Sequence, residues 1–150
     1  MMKTIAVVAL SALAIAAPAT ADDDDDGVDF GLAGILSKSN RAELPSIKMA
    51  VGQALADEAM MLKSGRYYVL DIESDGSAEL ALEGANFWRA VWIDEVVIND
   101  LEVRPYGIQS FEFDDEGTIQ IKFVAIRPGQ YEMKIPGSRG DSQKIDIVIQ

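Results

Sequence analysis

Gly117–Ile135, GTIQIKFVAIRPGQYEMKI, decides how this chain is read. It is two alternating apolar runs joined at Pro128-Gly129, with Tyr131 directly after the corner. Ile119, Ile121 and Phe123 project to one side of the first run, and Gln120 and Lys122 to the other. Past the corner, Tyr131, Met133 and Ile135 alternate with Glu132 and Lys134. A side-chain period of two on both arms predicts a pair of antiparallel strands with one face buried. On that reading Tyr131 buries its ring between sheets and holds its hydroxyl in a hydrogen bond.

The pattern extends outward from this pair. Ser110–Asp114 alternates Phe111 and Phe113 with Glu112, and Asp115-Glu116-Gly117 is a hairpin signal. Further upstream, Pro105–Gly107 and Asn99-Asp100 are turns that bracket Leu101–Arg104. Trp88–Ile98 is a long apolar-rich run after a loop at Glu83–Asn86, and Ser74-Asp75-Gly76 closes one strand before Ser77–Leu82 forms the next. Glu58–Leu62 and Arg66–Glu73 face each other across Ser64-Gly65 as a hairpin. Ser46–Leu62 reads either as a helix (Ile47, Val51, Leu55) or as two short strands around Ala56-Asp57. Gly52 and the hairpin that follows favour strands. Lys144–Gln150 sets Ile145, Ile147 and Ile149 on one face. Seven to nine short strands so spaced predict an all-β fold, a two-sheet antiparallel Greek-key sandwich.

The chain has 150 residues, enough for one domain. Lys3, the apolar run Ile5–Ala16 and Ala19-Thr20-Ala21 form a signal-peptide pattern over residues 1–21, whose apolar run is too short to span a bilayer, a retained membrane anchor being the competing reading. The expected product is periplasmic or secreted, without a membrane anchor after cleavage. Residues 22–45 read as an acidic tail and linker, and residues 46–150 as the sandwich domain. Cysteine and histidine are absent, which removes disulfides, thiolate chemistry and the commonest general base and metal ligand. A formal charge of −12 disfavours nucleic acid and anionic membranes as partners and favours cations or basic partners.

At this point the order of features resembles the cupredoxin family. EAMMLKSGRYYVLDI (Glu58–Ile72) is similar to that family's second strand, K-x-G turn and following strand. PGQYEMKIPG (Pro128–Gly137) followed by KIDIVI is similar to its P-G-x-Y strand and last strand. The resemblance covers Ile47–Gln150 and implies a cupredoxin-like sandwich. In copper-binding members the loop after P-G-x-Y supplies a cysteine, a histidine and usually a methionine. Here Ile135 or a close neighbour stands at the cysteine's place, and the loop Pro136–Ser142 has neither sulfur nor imidazole. A type 1 copper site needs a thiolate and two imidazoles, so none can form in this chain.

Several candidate sites remain. Trp88, Arg89 and Trp92 form an aromatic and arginine stretch suited to a partner, with Arg104 or Arg127 nearby. As one strand it would put Trp88, Ala90, Trp92 and Asp94 on one face and Arg89, Val91, Ile93 and Glu95 on the other, with one tryptophan plugging the core. Asp22, Asp23, Asp24, Asp25 and Asp26 offer oxygen ligands to calcium or a lanthanide, although contiguous aspartates cannot all turn to one ion. Asp114-Asp115-Glu116 is a second acidic cluster, at a turn. Met49, Met60, Met61 and Met133 are soft ligands for Cu(I), but core filling is the alternative role. Arg139-Gly140-Asp141 reads as an ordinary turn. No P-loop, G-x-S-x-G or dinucleotide motif occurs. The expectation is a non-catalytic binding or interaction module without a cofactor, whose partner is a protein or a small cation. Metal handling through carboxylates or methionines is the alternative.

Overall fold

Two central strands dictate the architecture. The structure, a computed structural model, describes residues 34–150. Strand β4 (Tyr67–Asp75) and strand β9 (Glu116–Ala125) pair antiparallel from Tyr67 opposite Val124 to Asp75 opposite Glu116. In chain order the others are β1 (Arg41–Glu43), β2 (Ile47–Met49), β3 (Met60–Leu62), β5 (Leu80–Glu83), β6 (Val91–Ile98) and β7 (Leu101–Val103). They are followed by β8 (Ser110–Phe113), β10 (Gly129–Lys134) and β11 (Lys144–Ile149). A single-turn helix α1 (Ala85–Trp88) sits between β5 and β6. One sheet runs β1-β4-β9-β6-β7, with β2 also paired to β4, and the other runs β3-β11-β10-β5-β8.

The all-β sandwich is as expected, but with eleven strands rather than seven to nine, and its sheets are mixed. β1 and β2 lie parallel to β4, and β3 lies parallel to β11. Ser46–Leu62 does resolve into two short strands, β2 and β3. The sheet also starts earlier than residue 46, because β1 belongs to it. Asn40 is 1% exposed, and its Nδ2 donates to the carbonyls of Ile35 at 2.8 Å and Gly65 at 2.9 Å. These bonds tie the stretch read as linker to the start of β4.

Three expected strand pairings are overturned for one reason. β4 is flanked by β9 and by β1 and β2, and β9 by β4 and β6, so neither has a free edge. The neighbours in sequence must therefore pair in the opposite sheet. β3 and β4 do not form a hairpin across Ser64-Gly65, β8 and β9 do not form one across Asp114-Asp115, and β9 and β10 do not share a sheet. Each short connection instead crosses the sandwich. The true hairpin is β6–β7, where Asn99 (φ 46°) and Asp100 (φ 65°) take the left-handed conformations that a tight two-residue turn requires.

The crossing at Pro128-Gly129 is locked locally. Tyr131 Oη donates to the carbonyl of Arg127 at 2.9 Å, folding the ring back over Gly129. A Cβ on Gly129 would stand 2.8 Å from Tyr131 Oη, so only glycine leaves room for the ring. The hydroxyl is bonded as expected, but the ring is only half-buried because the corner lies at the end of the sandwich. Inside, Phe123 is fully buried, with ring centroids 5.8 Å from Tyr68, 5.6 Å from Phe87 and 6.2 Å from Trp88. Around them pack Leu70, Ile72, Ile121, Met133 and Ile147, all fully buried.

Candidate functional site

Asp94 and Glu95 are consecutive acids in an apolar strand, and strict alternation would send them to opposite faces. The register of β6 against β9 slips between Ile93 and Glu95, which is a β-bulge at Asp94. Both carboxylates consequently reach the outer face of the first sheet. Asp94 accepts from Tyr67 Oη at 2.9 Å and from Arg104 Nη1 at 2.9 Å. Glu95, 7% exposed, accepts from Lys122 Nζ at 2.6 Å and Arg104 Nη2 at 3.0 Å. Placing Glu95 with Arg89, away from Asp94, is therefore wrong, and the bulge is the reason.

The electrostatics of this network are those of saturated pairs. The hydrogen bond from Lys122 holds the Glu95 carboxyl below the usual carboxylate range. Burial, then the bond to Asp94, pushes the Tyr67 phenol well above its ordinary value, so it stays protonated. Arg41 stacks over the Tyr67 ring at 4.9 Å. Tyr67, Val69 and Val124 form a small buried cluster of their own beneath these groups. These contacts hold Glu95 as a carboxylate and Tyr67 as a neutral phenol. The arrangement fastens β1, β4, β6, β7 and β9 together.

Trp88 and Trp92 do not share a face, because α1 interposes a helical turn before β6 begins at Val91. Trp88 is 3% exposed in the core, while Trp92 is 47% exposed on β6. Arg89 is exposed at the junction of helix and strand, and its carbonyl accepts from Arg127 Nη2 at 2.6 Å. Ile126 and Arg127 both donate backbone N–H to Ala90, at 3.1 Å and 2.9 Å. Val91 faces Ala125 in the sheet. Arg89, Trp92, Ile126 and Arg127 are thereby gathered at one end of the sandwich, with Ile126 49% exposed. Arg104 belongs instead to the bulge network.

The carboxylate and methionine candidates separate cleanly. Asp22–Asp26 lie outside the described residues. Of the turn cluster, Asp114 joins Glu79 and Glu112, with one oxygen from each within 4.8 Å of the others, all exposed. A hydrogen bond with Glu112, then the charges of Glu112 and Asp114, raise the Glu79 carboxyl. Met49, Met60 and Met133 point into the core, whereas Met61 is 56% exposed on the opposite face of β3. The four sulfurs thus share no site. Arg139-Gly140-Asp141 lies exposed in the loop between β10 and β11.

Beside β2 and β3 runs an open groove of about 920 Å³, lined by Leu44, Pro45, Ala56, Met60 and Met61 among others. Lys48 on its wall is ion-paired with Glu73. Asp57 and Glu58 also line the groove.

No family model matches the sequence, and no curated protein matches it. Solved structures do. A multicopper oxidase from Pseudomonas thermotolerans superposes with a TM-score of 0.55 at 17% identity, over 75% of this chain and 30% of that one. The fold is cupredoxin-like. A multicopper oxidase from Campylobacter jejuni, described as a metallo-oxidase, gives a TM-score of 0.47 at 6% identity over 73% of this chain. The chain spans about 30% of the length of these oxidases, and at such identities the likeness concerns the scaffold alone. Among the described residues no helix is long and apolar enough to cross a membrane.

Proposed function

We propose that this chain is an exported, non-catalytic interaction module on a cupredoxin-like scaffold without a copper centre. The supporting observation is the end of the sandwich where Trp92 and Ile126, about half exposed, stand beside Arg89 and Arg127. Tryptophan and arginine are the residues that most often carry binding energy at interfaces. Among the described residues, the ionic network of Asp94, Glu95, Arg104 and Lys122 is internally paired, which suits a structural role better than chemistry. Export follows from the signal pattern at residues 1–21. The absence of cysteine and histidine removes the ligands that a blue copper oxidase centre would take from this chain.

A second reading has one observation in its favour. Glu79, Glu112 and Asp114 offer three oxygens close enough together to attract a hard cation such as calcium. Isothermal titration of the full chain with calcium, a lanthanide and Cu(I), together with a phenol-oxidation assay, separates the two. The interaction-module reading expects no saturable heat at micromolar metal and no turnover. Stoichiometric calcium or Cu(I) binding would replace it with metal handling, and turnover with an enzyme.

A further inference from the structure

The two ends of the sandwich carry opposite charge. At the end where β4 begins and β9 finishes, four segments meet: residues 34–42, 59–70, 84–93 and 123–131. Gly65 donates its N–H to Ala125 at 2.7 Å, Ile126 donates to Ala90, and Ser64 Oγ donates to the Ile126 carbonyl at 2.7 Å. Arg41 lies opposite Tyr67 in the sheet. These segments contain Lys38, Arg41, Lys63, Arg66, Arg89 and Arg127, six of the chain's 13 basic residues, and no aspartate or glutamate.

At the far end of the same strands the composition inverts. Residues 74–82, 96–103 and 108–119 contain Asp75, Glu79, Asp100, Glu102, Glu112, Asp114, Asp115 and Glu116, against which stand two cations, Lys48 opposite Glu73 and Arg104 at 3.5 Å from Glu102. Nine paired positions of β4 separate the ends, roughly 30 Å at a strand's rise per residue. In a chain of net charge −12, such segregation makes a strong dipole.

Five of the six cations at this end, Lys38, Arg41, Arg66, Arg89 and Arg127, lack a salt bridge among the described residues, whereas Lys48, Arg104, Lys122, Lys134 and Lys144 all have one. Arg66 Nε is buried without a hydrogen-bond acceptor. Interspersed with these cations are the exposed apolar side chains of Trp92 and Ile126, and of Ile35 and Leu36 on the turn that Asn40 pins to Gly65.

We infer that this end docks an acidic polypeptide segment of a partner protein, with apolar residues among its carboxylates. The inference rests on the interaction-module reading and names the partner's chemistry. Unpaired guanidinium groups present forked donors suited to carboxylates, and the apolar side chains between them match a peptide rather than a bare polyanion. An extended anionic membrane would meet the negative field of the whole chain. A short segment meets only the basic end, whose field also orients the encounter.

The test is titration of a short peptide alternating glutamate and leucine into the full chain, followed by calorimetry. It is repeated on a variant with Asp22–Asp26 changed to asparagine, so that the chain's own acidic run cannot mask the surface. Binding is expected in low salt, weakened at an ionic strength of about 0.15 M. Arg89→Glu with Arg127→Glu should weaken it roughly tenfold or more, while Lys134→Glu with Lys144→Glu, away from this end, changes it by less than about twofold. No binding, or equal losses in the two double variants, would overturn the inference. Binding to phosphatidylserine vesicles without binding to the peptide would also overturn it. Those failures touch this inference alone, whereas metal binding or turnover in the preceding experiments would overturn the reading beneath it.

Discussion

Replacing Glu95 with alanine should weaken the fold more than any other single change to a charged side chain. The carboxylate is 7% exposed, receives Lys122 Nζ at 2.6 Å and Arg104 Nη2 at 3.0 Å, and ties three strands across the bulge. Hydrogen bonds to charged groups contribute about 1.5–3 kcal/mol each when shielded. The Arg104 side chain is 60% exposed, so its share shrinks toward the ~0–1 kcal/mol of a surface pair. The Lys122 side chain is only 21% exposed and would be left without its partner, which puts the bond on that side near the full value. A total loss of ~2–3 kcal/mol follows, below the ~3–5 kcal/mol of a wholly buried pair. Urea unfolding at neutral pH measures it, and a cycle with Lys122→Ala should return a coupling of about 1–2 kcal/mol. The sign with pH is fixed by the direction of the shift. Because folding lowers the Glu95 carboxyl, its contribution is complete above the ordinary carboxylate range and disappears as pH falls through the folded value. A loss below about 0.5 kcal/mol, or one independent of acid, would refute the idea that the bulge network fastens the sheet.

Four further substitutions have outcomes fixed by the structure. Gly129→Ala should cost roughly 1–3 kcal/mol by driving a methyl into the Tyr131 ring, and Tyr131→Phe about 1 kcal/mol for the lost bond to Arg127, both read by urea unfolding. Phe123→Ala, which empties the aromatic centre of the core, should cost ~3–5 kcal/mol in the same assay. Glu79→Gln should raise the melting temperature at neutral pH. Folding raises the Glu79 carboxyl, so the repulsion from Glu112 and Asp114 is absent in acid and develops as pH rises, and the gain should vanish in acid.

The sequence was legible wherever a strand keeps one face in the core. Ile119, Ile121 and Phe123, and likewise Ile145, Ile147 and Ile149, are buried as their alternation says. Asn99-Asp100 behaves as a turn because its residues tolerate positive φ. Pairing was not legible, because a tight turn looks the same whether it joins neighbours in one sheet or crosses to the other. Only the filled edges of β4 and β9 decide, and they are filled by β1, β2 and β6 from distant sequence. At the candidate site, Trp92 and Arg89 were visible as residue types, but their separation from Trp88 depends on the short helix at Ala85–Trp88. The adjacent acids Asp94-Glu95 break the period of two and could have signalled the bulge. Their partners Tyr67, Lys122 and Arg104 could not have been guessed without the strand order. The basic end was written in four separate segments, each unremarkable alone, which became one surface only through Gly65, Ala90 and Ala125.

Tryptophan quenching by ions of opposite sign probes the exposed aromatic set in the cationic end of this acidic chain. Trp92 is 47% exposed and Trp88 is 3% exposed, so one tryptophan of the two should respond. Iodide, drawn to Arg89 and Arg127, should quench that fraction more strongly than caesium at low ionic strength, despite the net charge of −12. The difference should shrink in high salt, and Trp92→Phe should abolish it. Stronger quenching by caesium, or a response from neither ion, would mean that Trp92 does not stand in a cationic surface.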